Sequence, residues 1–159
     1  MGRTVGKLCP SLDSLVMTFN IKIPFVELLG FELALFEGGQ SQIDFDTRPE
    51  HENSFGVTHG GAIMTLLDVT MATAARSVQA DMGVVTIEMK TSFMRPCRGK
   101  LVGKGRLMHR TGTMAFTEAT IYDGQGKACA HATGTFKYVR RGGSSASATD
   151  AGTGVISTD

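Results

Sequence analysis

The chain of 159 residues has no tryptophan, only three cysteines and no long hydrophobic run. The cysteines, Cys9, Cys97 and Cys129, are odd in number and far apart, which argues against a disulfide framework and against a structural zinc site. No apolar stretch approaches the roughly 18 residues that cross a bilayer, so no membrane partner is expected. The first ten residues lack the apolar middle region of a signal peptide, so we expect a cytoplasmic protein.

The composition is that of a single soluble globular domain, with 42% hydrophobic and 19% charged residues. Residues 1–89 carry 5 Lys/Arg against 11 Asp/Glu, whereas residues 90–141 carry 11 against 2. This segregation suggests an anionic partner for the second part, and the alternative is that the strands there have solvated outer faces. The net charge is only +1 and aromatic residues do not interleave with the basic ones, so a small phosphorylated ligand fits better than nucleic acid.

A short helix and a β-hairpin are predicted near the start of the domain. Pro24 to Leu29 is an apolar segment suited to one or two helical turns, since proline is tolerated at the first helical position. Residues 31–37 and 40–47 read as strands on either side of Gly38-Gly39, a pair that favours a tight hairpin turn.

After a loop over residues 48–58, one long helix is predicted from about Gly60 to about Gln79. Apolar or small side chains recur there at helical spacing, namely Ile63, Leu66, Leu67, Thr70, Met71 and Ala74. The opposite side also carries apolar residues, Met64, Ala72 and Ala75, where a surface helix would be charged. A helix that is apolar nearly all round is typical of a buried one, so we expect other elements to wrap it.

The rest of the domain is predicted to be all strand, at residues 84–93, 100–109, 113–122 and 127–138. The connections between these strands are short, which implies antiparallel neighbours. The prediction is therefore an α+β fold with about six strands and one central helix. We place this domain at residues 21–141, after an N-terminal arm (1–20) and before a disordered tail (142–159) rich in Gly, Ser, Ala and Thr.

Asp68 is the only acidic residue between Asn53 and Ala80, and it falls in the middle of the predicted helix. It cannot cap the helix there, and no basic residue lies one turn away. A carboxylate in such surroundings is costly unless it is hydrogen-bonded, and its pKa should rise. Such carboxylates are typical of reactive sites. The alternative is a carboxylate at the edge of a subunit contact, satisfied by hydroxyl groups or water.

The second candidate feature is His59-Gly60-Gly61 at the start of the same helix. A helix N-terminus has free backbone amides, and two glycines let a ligand approach them closely, which suits an oxygen that becomes negatively charged. The side-chain amide of Asn53 could reach the same oxygen. The alternatives are that His59 only caps the helix, that the glycines only permit a sharp turn, and that Asn53 is a turn residue.

Taken together, these residues have the spacing Asn53-x2-Gly56-x2-His59-Gly60-Gly61-x4-Leu66-x-Asp68. This spacing resembles the signature of hotdog-fold acyl-CoA thioesterases, specifically the phenylacetate-pathway type. The segments Gly83 to Met89 and Ser92 to Pro96 are also similar, so the resemblance covers roughly residues 24–138. It implies the hotdog fold, a curved antiparallel sheet wrapped around one long α-helix, and hydrolysis of acyl-CoA or aryl-acyl-CoA thioesters.

The resemblance also implies a role for each matching residue. Gly60 would donate its backbone N–H, and Asn53 its side-chain amide, to the thioester carbonyl oxygen. Asp68 would act as general base on a water, or as a nucleophile that forms an anhydride. Thr86 would orient the attacking water, and His59 would orient Asn53 and the start of the helix. No metal or separate cofactor is implied, because coenzyme A is part of the substrate.

The partners implied are the acyl-CoA substrate and further copies of the chain. Asp68 and Thr86 would face Gly60 and Asn53 of a neighbouring subunit, in a homodimer that assembles as a dimer of dimers. Candidate contacts to coenzyme A are Gly61, Arg95, Pro96, Arg98, Arg110, Thr111 and Gly112. The alternative for the arginines is ordinary solvation in turns.

Two other functions stay open at this point. A hotdog hydratase or dehydratase would need a catalytic histidine paired with an acid, but His59 here belongs to the glycine motif. A non-catalytic acyl-CoA-binding module would keep the ligand contacts without turnover. The nucleophile elbow of serine hydrolases is absent because the chain has no Gly-x-Ser-x-Gly motif, and the four histidines have no metal-ligand spacing.

Overall fold

The computed structural model describes residues 22–140, and the predicted arm and tail lie outside this range. The described chain forms two α-helices, six strands and one 3-10 turn. In chain order these are α1 (Pro24–Leu29), β1 (Phe31–Glu37), β2 (Gln40–Asp46), the 3-10 turn (Pro49–His51), α2 (Gly60–Arg76), β3 (Met82–Phe93), β4 (Lys100–Arg110), β5 (Met114–Asp123) and β6 (Ala128–Arg140).

All six strands form one antiparallel sheet in the order β1-β2-β4-β5-β6-β3. The long helix α2 packs against every strand of this sheet. The α+β prediction and the expected hotdog fold are therefore confirmed. Strands β1 and β3 are the two edges of the sheet, and β3 pairs only with β6 within the described residues.

The element boundaries follow local chemistry. Gly30 ends α1 in the left-handed conformation, with φ 77°, as a glycine after a helix commonly does. Helix α2 ends at Arg76, three residues before the predicted Gln79. The cause is Ser77, whose hydroxyl donates to the Ala74 carbonyl at 2.8 Å and accepts the Gly39 N–H at 2.8 Å. A side chain that bonds nearby backbone in this way competes with continued helix.

Two glycines in β4 set how closely α2 approaches the sheet. A Cβ on Gly103 would lie 2.7 Å from the Thr70 hydroxyl oxygen, and one on Gly105 would lie 2.9 Å from the Thr70 carbonyl oxygen. The hydroxyl of Ser41, on β2, donates to this same carbonyl at 2.7 Å. Contacts this short leave no room for a methyl group, so the helix rests directly on the strand backbone.

Only one side of α2 is buried by the sheet. The fully or nearly buried residues of the helix are Ile63, Leu66, Leu67, Thr70, Met71, Thr73, Ala74 and Ala75. Met64 is 41% exposed, and Thr65 and Asp68 on the same stripe are half-buried. The expected wrapping of the helix by other elements is thus confirmed, and the six strands leave the stripe around Met64 and Asp68 partly open. No described helix is long and apolar enough to span a membrane.

The close approach of α2 predicts a steric cost for any side chain at residue 105. The Gly105→Ala variant should lose about 1–3 kcal/mol of unfolding free energy, because its methyl group would push against the Thr70 backbone and the Ser41 hydroxyl. Urea unfolding measures this loss. The matched control is Gly124→Ala, whose Cβ would lie 3.8 Å from the nearest atom, an ordinary contact. Equal unfolding free energies for the two variants would contradict the prediction.

Candidate active site

Asp68 lies in the middle of α2, on the stripe that the sheet leaves partly open. The hydroxyl of Thr86, on edge strand β3, donates to Asp68 Oδ1 at 2.7 Å. Burial raises the pKa of Asp68, and the hydrogen bond from Thr86 opposes this rise without cancelling it. The geometry thus joins the two residues predicted to handle the water, and burial makes the carboxylate hold a proton more tightly than an exposed aspartate does.

A β-bulge lies next to Thr86. The pairing of β3 with β6 shifts register between Thr86, which faces Phe136, and Glu88, which faces Thr135. A bulge changes the direction of the side chains beside it. Thr86 consequently points to α2, whereas the Glu88 carboxylate accepts the hydroxyl hydrogen of Thr135 at 2.9 Å. Sequence spacing alone gives no position for such a bulge.

The N-terminus of α2 is capped by His59. Its Nδ1 accepts the N–H of Gly61 at 2.9 Å, so the ring holds the first turn. A Cβ on Gly61 would lie 3.1 Å from this nitrogen, which explains why glycine suits the position. The expectation that His59 orients the helix start agrees with this bond. The bond runs to Gly61 and not to Asn53, so an orienting role toward Asn53 stays a prediction.

Asn53 shapes the loop before the helix. Its Oδ1 accepts the N–H of Phe55 at 2.9 Å and that of Val57 at 3.4 Å, and its own N–H donates to the Val57 carbonyl at 2.8 Å. The loop is also tied to its surroundings by the N–H of Thr58, which donates to the Cys97 carbonyl at 2.9 Å. Asn53 is therefore a turn residue, and because its oxygen is engaged, its NH₂ group is the end that can donate to a ligand.

A surface cleft of about 450 Å³ contains both predicted carbonyl-binding residues, Asn53 and Gly60. Phe93, Arg95 and Pro96 line the same cleft, together with Val57, Thr58, Ile63, Met94 and Cys97. Two other clefts, of about 440 and 360 Å³, contain none of the predicted site residues. The 450 Å³ cleft is the one that matches the predicted chemistry.

Asp68 and Thr86 do not line this cleft. Asp68 is eight residues beyond Gly60 on the same helix, which places it about 12 Å farther along the axis. One chain therefore brings together Asp68 with Thr86, and Asn53 with Gly60, but it does not bring the two pairs together.

The residues predicted to contact coenzyme A also fall into two groups. Arg95 and Pro96 line the cleft, and the Arg98 guanidinium donates to the carbonyl of Gly56 in the Asn53 loop. Arg110 lies at the other end of β4, about 30 Å away along the strand, where its guanidinium donates to Gln79 Oε1 at 3.1 Å.

The turn after Arg110 supplies the remaining two predicted contacts. The Thr111 hydroxyl oxygen accepts the N–H groups of Thr113 and Met114 and so shapes this turn. Gly112 beside it has open space on its Cβ side. These two residues and Arg110 are thus remote from the cleft of their own chain, and Gly61 sits at the helix start next to Gly60.

Six residues that line the cleft were not predicted as site residues, namely Val57, Thr58, Ile63, Phe93, Met94 and Cys97. Phe93 and Met94 are 56% and 50% exposed, which no periodicity in a predicted strand would signal. Cys97 is buried against Cys129, and burial raises the pKa of its thiol to about 12, so it stays protonated. Across residues 22–140 no group of three or more His, Cys, Asp or Glu could hold a metal ion.

Comparison with known proteins identifies the family. Residues 55–130 match the sequence profile described as the Thioesterase superfamily. The chain is 30% identical over 115 residues to the protein named "Putative esterase SSO2140" of Saccharolobus solfataricus. The aligned region covers 72% of this chain and 82% of that protein.

Solved structures agree with this result. The conserved protein PA5202 of Pseudomonas aeruginosa has a TM-score of 0.71 and 29% identity, over 74% of this chain and 95% of that one. The PaaI protein of the Escherichia coli phenylacetic acid degradation operon has a TM-score of 0.68 over 72% of this chain and 83% of that one, and at 20% identity it supports the fold alone. The chain belongs to the thioesterase superfamily with the hotdog fold and is a hydrolase of thioesters or esters.

Proposed function

We propose that this protein hydrolyses acyl-CoA thioesters, aryl-acyl ones included, to the free acid and coenzyme A at a site built from two copies of the chain. The observation that carries the proposal is the pairing of Asp68 with Thr86 on the open face of α2. A carboxylate with a raised pKa, held by one hydroxyl and facing out of its own chain, suits work on a substrate bound by a neighbour.

Asp68 acts on the attacking water. The Thr86 hydroxyl gives its hydrogen to Asp68, so its oxygen is left to accept a hydrogen bond from that water. The water is then held beside a base whose pKa is raised toward the operating pH, as general-base catalysis requires. Direct attack by Asp68 to form an anhydride uses the same carboxylate and stays the alternative.

The thioester carbonyl is polarised at the cleft. The Gly60 N–H lies in the first turn of α2, where backbone amides have no acceptor within the helix and the helix dipole is positive. The NH₂ of Asn53 is the second donor, with its orientation fixed by the loop bonds of its oxygen. Such donors stabilise the charge that develops on the carbonyl oxygen during attack.

The two pairs meet in a symmetric dimer. Within residues 22–140 the outer edge of β3 has no partner strand. This strand carries exposed Val85 and Ile87, at 45% and 54%, and the open stripe of α2 next to it carries Met64. An unpaired edge with apolar side chains is a template for pairing with another chain. A two-fold axis at this edge brings Asp68 of each copy toward the Gly60 of its partner and makes two equal sites.

Coenzyme A binds with its phosphates near the mouth of the cleft. Arg95 and Arg98 supply the positive charge there, and guanidinium groups suit phosphate oxygens. Arg110, Thr111 and Gly112 are too distant in the same chain, so they contribute to this binding only from another subunit.

A hydratase or dehydratase is the weaker candidate, because the His59 ring is engaged as the cap of α2 through its bond to Gly61. A non-catalytic binding module differs from the proposal only in turnover. Release of free thiol from a panel of acyl-CoA esters decides between an enzyme and a binding module.

Replacing the proposed base should stop the reaction without unfolding the protein. Asp68→Asn should lower kcat by about 10²–10⁴-fold, the usual contribution of a general base. The measurement is thiol release by the purified variant.

The matched control is Glu88→Gln. Like Asp68, Glu88 is an acid that accepts the hydroxyl hydrogen of a threonine on a neighbouring strand, here Thr135. This variant should retain the wild-type rate. Equal activity of the Asp68→Asn variant and the wild type would contradict the proposed role, and tight binding of CoA esters by a wild type that releases no thiol would favour the binding module.

The pH dependence of the rate should report on Asp68 and Thr86 together. The rate should fall as the pH drops through the raised pKa of Asp68, because the protonated acid cannot accept a proton. Thr86→Val removes the hydrogen bond that lowers this pKa, so the acid limb of the pH–rate profile should move to higher pH. An acid limb that stays at the same pH in the variant would show that Asp68 is not the group that titrates.

The same raised pKa predicts a stability change of known sign. The folded chain binds the Asp68 proton more tightly than the unfolded chain, so the stability contributed by this group falls as the pH rises from the ordinary aspartate pKa to the raised one. Asp68→Asn carries no charge, and it should therefore raise the melting temperature at pH 7. This gain should vanish below about pH 4. Thermal unfolding at both pH values checks the sign, and a lower melting temperature at pH 7 would refute it.

A further inference from the structure

An exposed methionine lies on α2 midway between the two halves of the proposed site. Met64 is four residues beyond Gly60 and four residues before Asp68, so the helical rise places it about 6 Å from each along the axis. Residues four apart form one row on the surface of a helix. The open row of α2, which consists of Gly60, Met64, Asp68 and Ala72, lies on the side that the sheet leaves partly exposed, and Met64 is 41% exposed there. The row therefore has a hydrogen-bond donor at one end and a carboxylate beyond an apolar side chain.

The symmetry of a shared site fixes what lies opposite Met64. A two-fold axis that brings Gly60 to the partner's Asp68 also brings Asp68 to the partner's Gly60. The two helices then run antiparallel, because the two residues are about 12 Å apart on each helix. Positions at equal distances from the two ends of this segment face each other, and the middle position faces its own copy. Met64 is that middle position.

The same symmetry limits the distance between the two helices at Met64. Because Met64 is at the midpoint of the segment, the helix axes are no farther apart there than at the levels of Gly60 and the partner's Asp68. Only the thioester carbonyl and the attacking water lie between those two residues, held by hydrogen bonds of about 2.9 Å. This spacing is close to that of packed helices, about 8–10 Å between axes. Two methionine side chains, each flexible and unbranched, fill such a gap.

The chemistry of the open row suits a second copy of the same row. Asp68 is the only charged residue in it. In the antiparallel arrangement each Asp68 carboxylate lies near the N-terminal end of the partner's helix, where the dipole is positive, so opposite charges face each other. At the centre one apolar side chain meets another, and no charge loses its water there. The exposed Val85 and Ile87 of β3 extend this apolar surface, since Thr86 between them bonds to Asp68.

We infer that Met64 contacts the partner's Met64 on the two-fold axis, so that the open row of α2 is an interface between two copies of this chain. This inference rests on the proposed function, because the shared site supplies the symmetry. The methionine pair sets the spacing of the two helices, and the two active sites lie on either side of it.

Opposite charges at residue 64 test the self-contact, because a residue on a two-fold axis meets its own copy. Met64→Glu alone and Met64→Lys alone should each weaken the dimer about tenfold or more in sedimentation, since like charges then face each other. A co-expressed mixture of the two variants should recover the dimer, because a glutamate then meets a lysine. Thiol release from acyl-CoA should fall and recover together with the dimer.

The matched controls are Met108→Glu and Met108→Lys. Met108 is 55% exposed but lies on β4, outside the open row of α2. These variants should sediment like wild type, alone and mixed, and circular dichroism shows whether each chain is folded. Folded Met64 variants that keep the wild-type dimer affinity would overturn the inference. Met64 variants that lose the dimer and do not recover it on mixing would overturn it too, and would assign Met64 to a contact other than its own copy.

Cross-linking is a second test that needs no charge at the interface, and it decides the matter if a charged variant unfolds. Met64→Cys is combined with Cys9→Ser, because Cys9 lies outside the described residues, whereas Cys97 and Cys129 are buried. A short bis-maleimide should join two Met64→Cys chains into a covalent dimer and should leave chains with Met108→Cys unlinked. A Met64→Cys protein that keeps the wild-type oligomer and stays unlinked would overturn the inference.

The two kinds of measurement separate this inference from the proposed function. Sedimentation and cross-linking report the contact at residue 64 without any turnover. A protein that shows both expected results but releases thiol from no acyl-CoA would contradict the proposed function and support the interface. An active thioesterase whose Met64 variants neither dissociate nor cross-link would contradict the inference alone.

Discussion

The rigid spacing along helix α2 is the constraint on which the account depends. Gly60 begins the helix and Asp68 lies eight residues later, so the helical rise holds the carbonyl-binding amide and the carboxylate about 12 Å apart. No side-chain rotation closes that distance. The chain therefore carries two halves of a site, each well formed, and the chemistry we propose requires a second copy that places the halves opposite each other.

The sheet holds this helix close to its strands. Gly103 and Gly105 let α2 pack directly on the backbone of β4, and the Ser41 hydroxyl donates to the Thr70 carbonyl of the helix. The buried face is thus used entirely for packing. The open face leaves Met64 exposed and Asp68 accessible to a second copy of the chain. Because Asp68 is still half-buried, its pKa is raised. Functional residues commonly lower the stability of the folded state in this way.

Much of the fold could be predicted from the sequence, because apolar periodicity and turn glycines act locally. The helix beginning at Gly60 and the hairpin at Gly38-Gly39 appear where the pattern placed them. The helix end at Arg76 could not be predicted, because it depends on Ser77 bonding to Gly39, which is distant in sequence. Periodicity also predicted the apolar helix wrapped by other elements, but it reports apolarity and could not show that the stripe around Met64 and Asp68 stays partly exposed within one chain.

The candidate site was predicted only in part, for a related reason. Asp68 stood out because a lone acid on an apolar helix is conspicuous, and Gly60 because glycines at a helix start are informative. The contact of Thr86 with Asp68 arises from a bulge between β3 and β6, which no local pattern encodes. The exposure of Phe93 in the cleft depends on where β3 ends relative to α2, so it became visible only in three dimensions.

Complementation between two inactive variants tests the shared site most directly. Gly60→Pro removes the amide hydrogen but suits the first helical position, and His59 before it has φ −58° and ψ 138°, a polyproline-II-like conformation that is compatible with a following proline. Asp68→Asn removes the carboxylate. Each variant alone should be inactive, whereas a mixed dimer contains one intact site, so random co-assembly should restore about a quarter of the wild-type activity. A co-expressed mixture that assembles but stays as inactive as its parents would contradict the account.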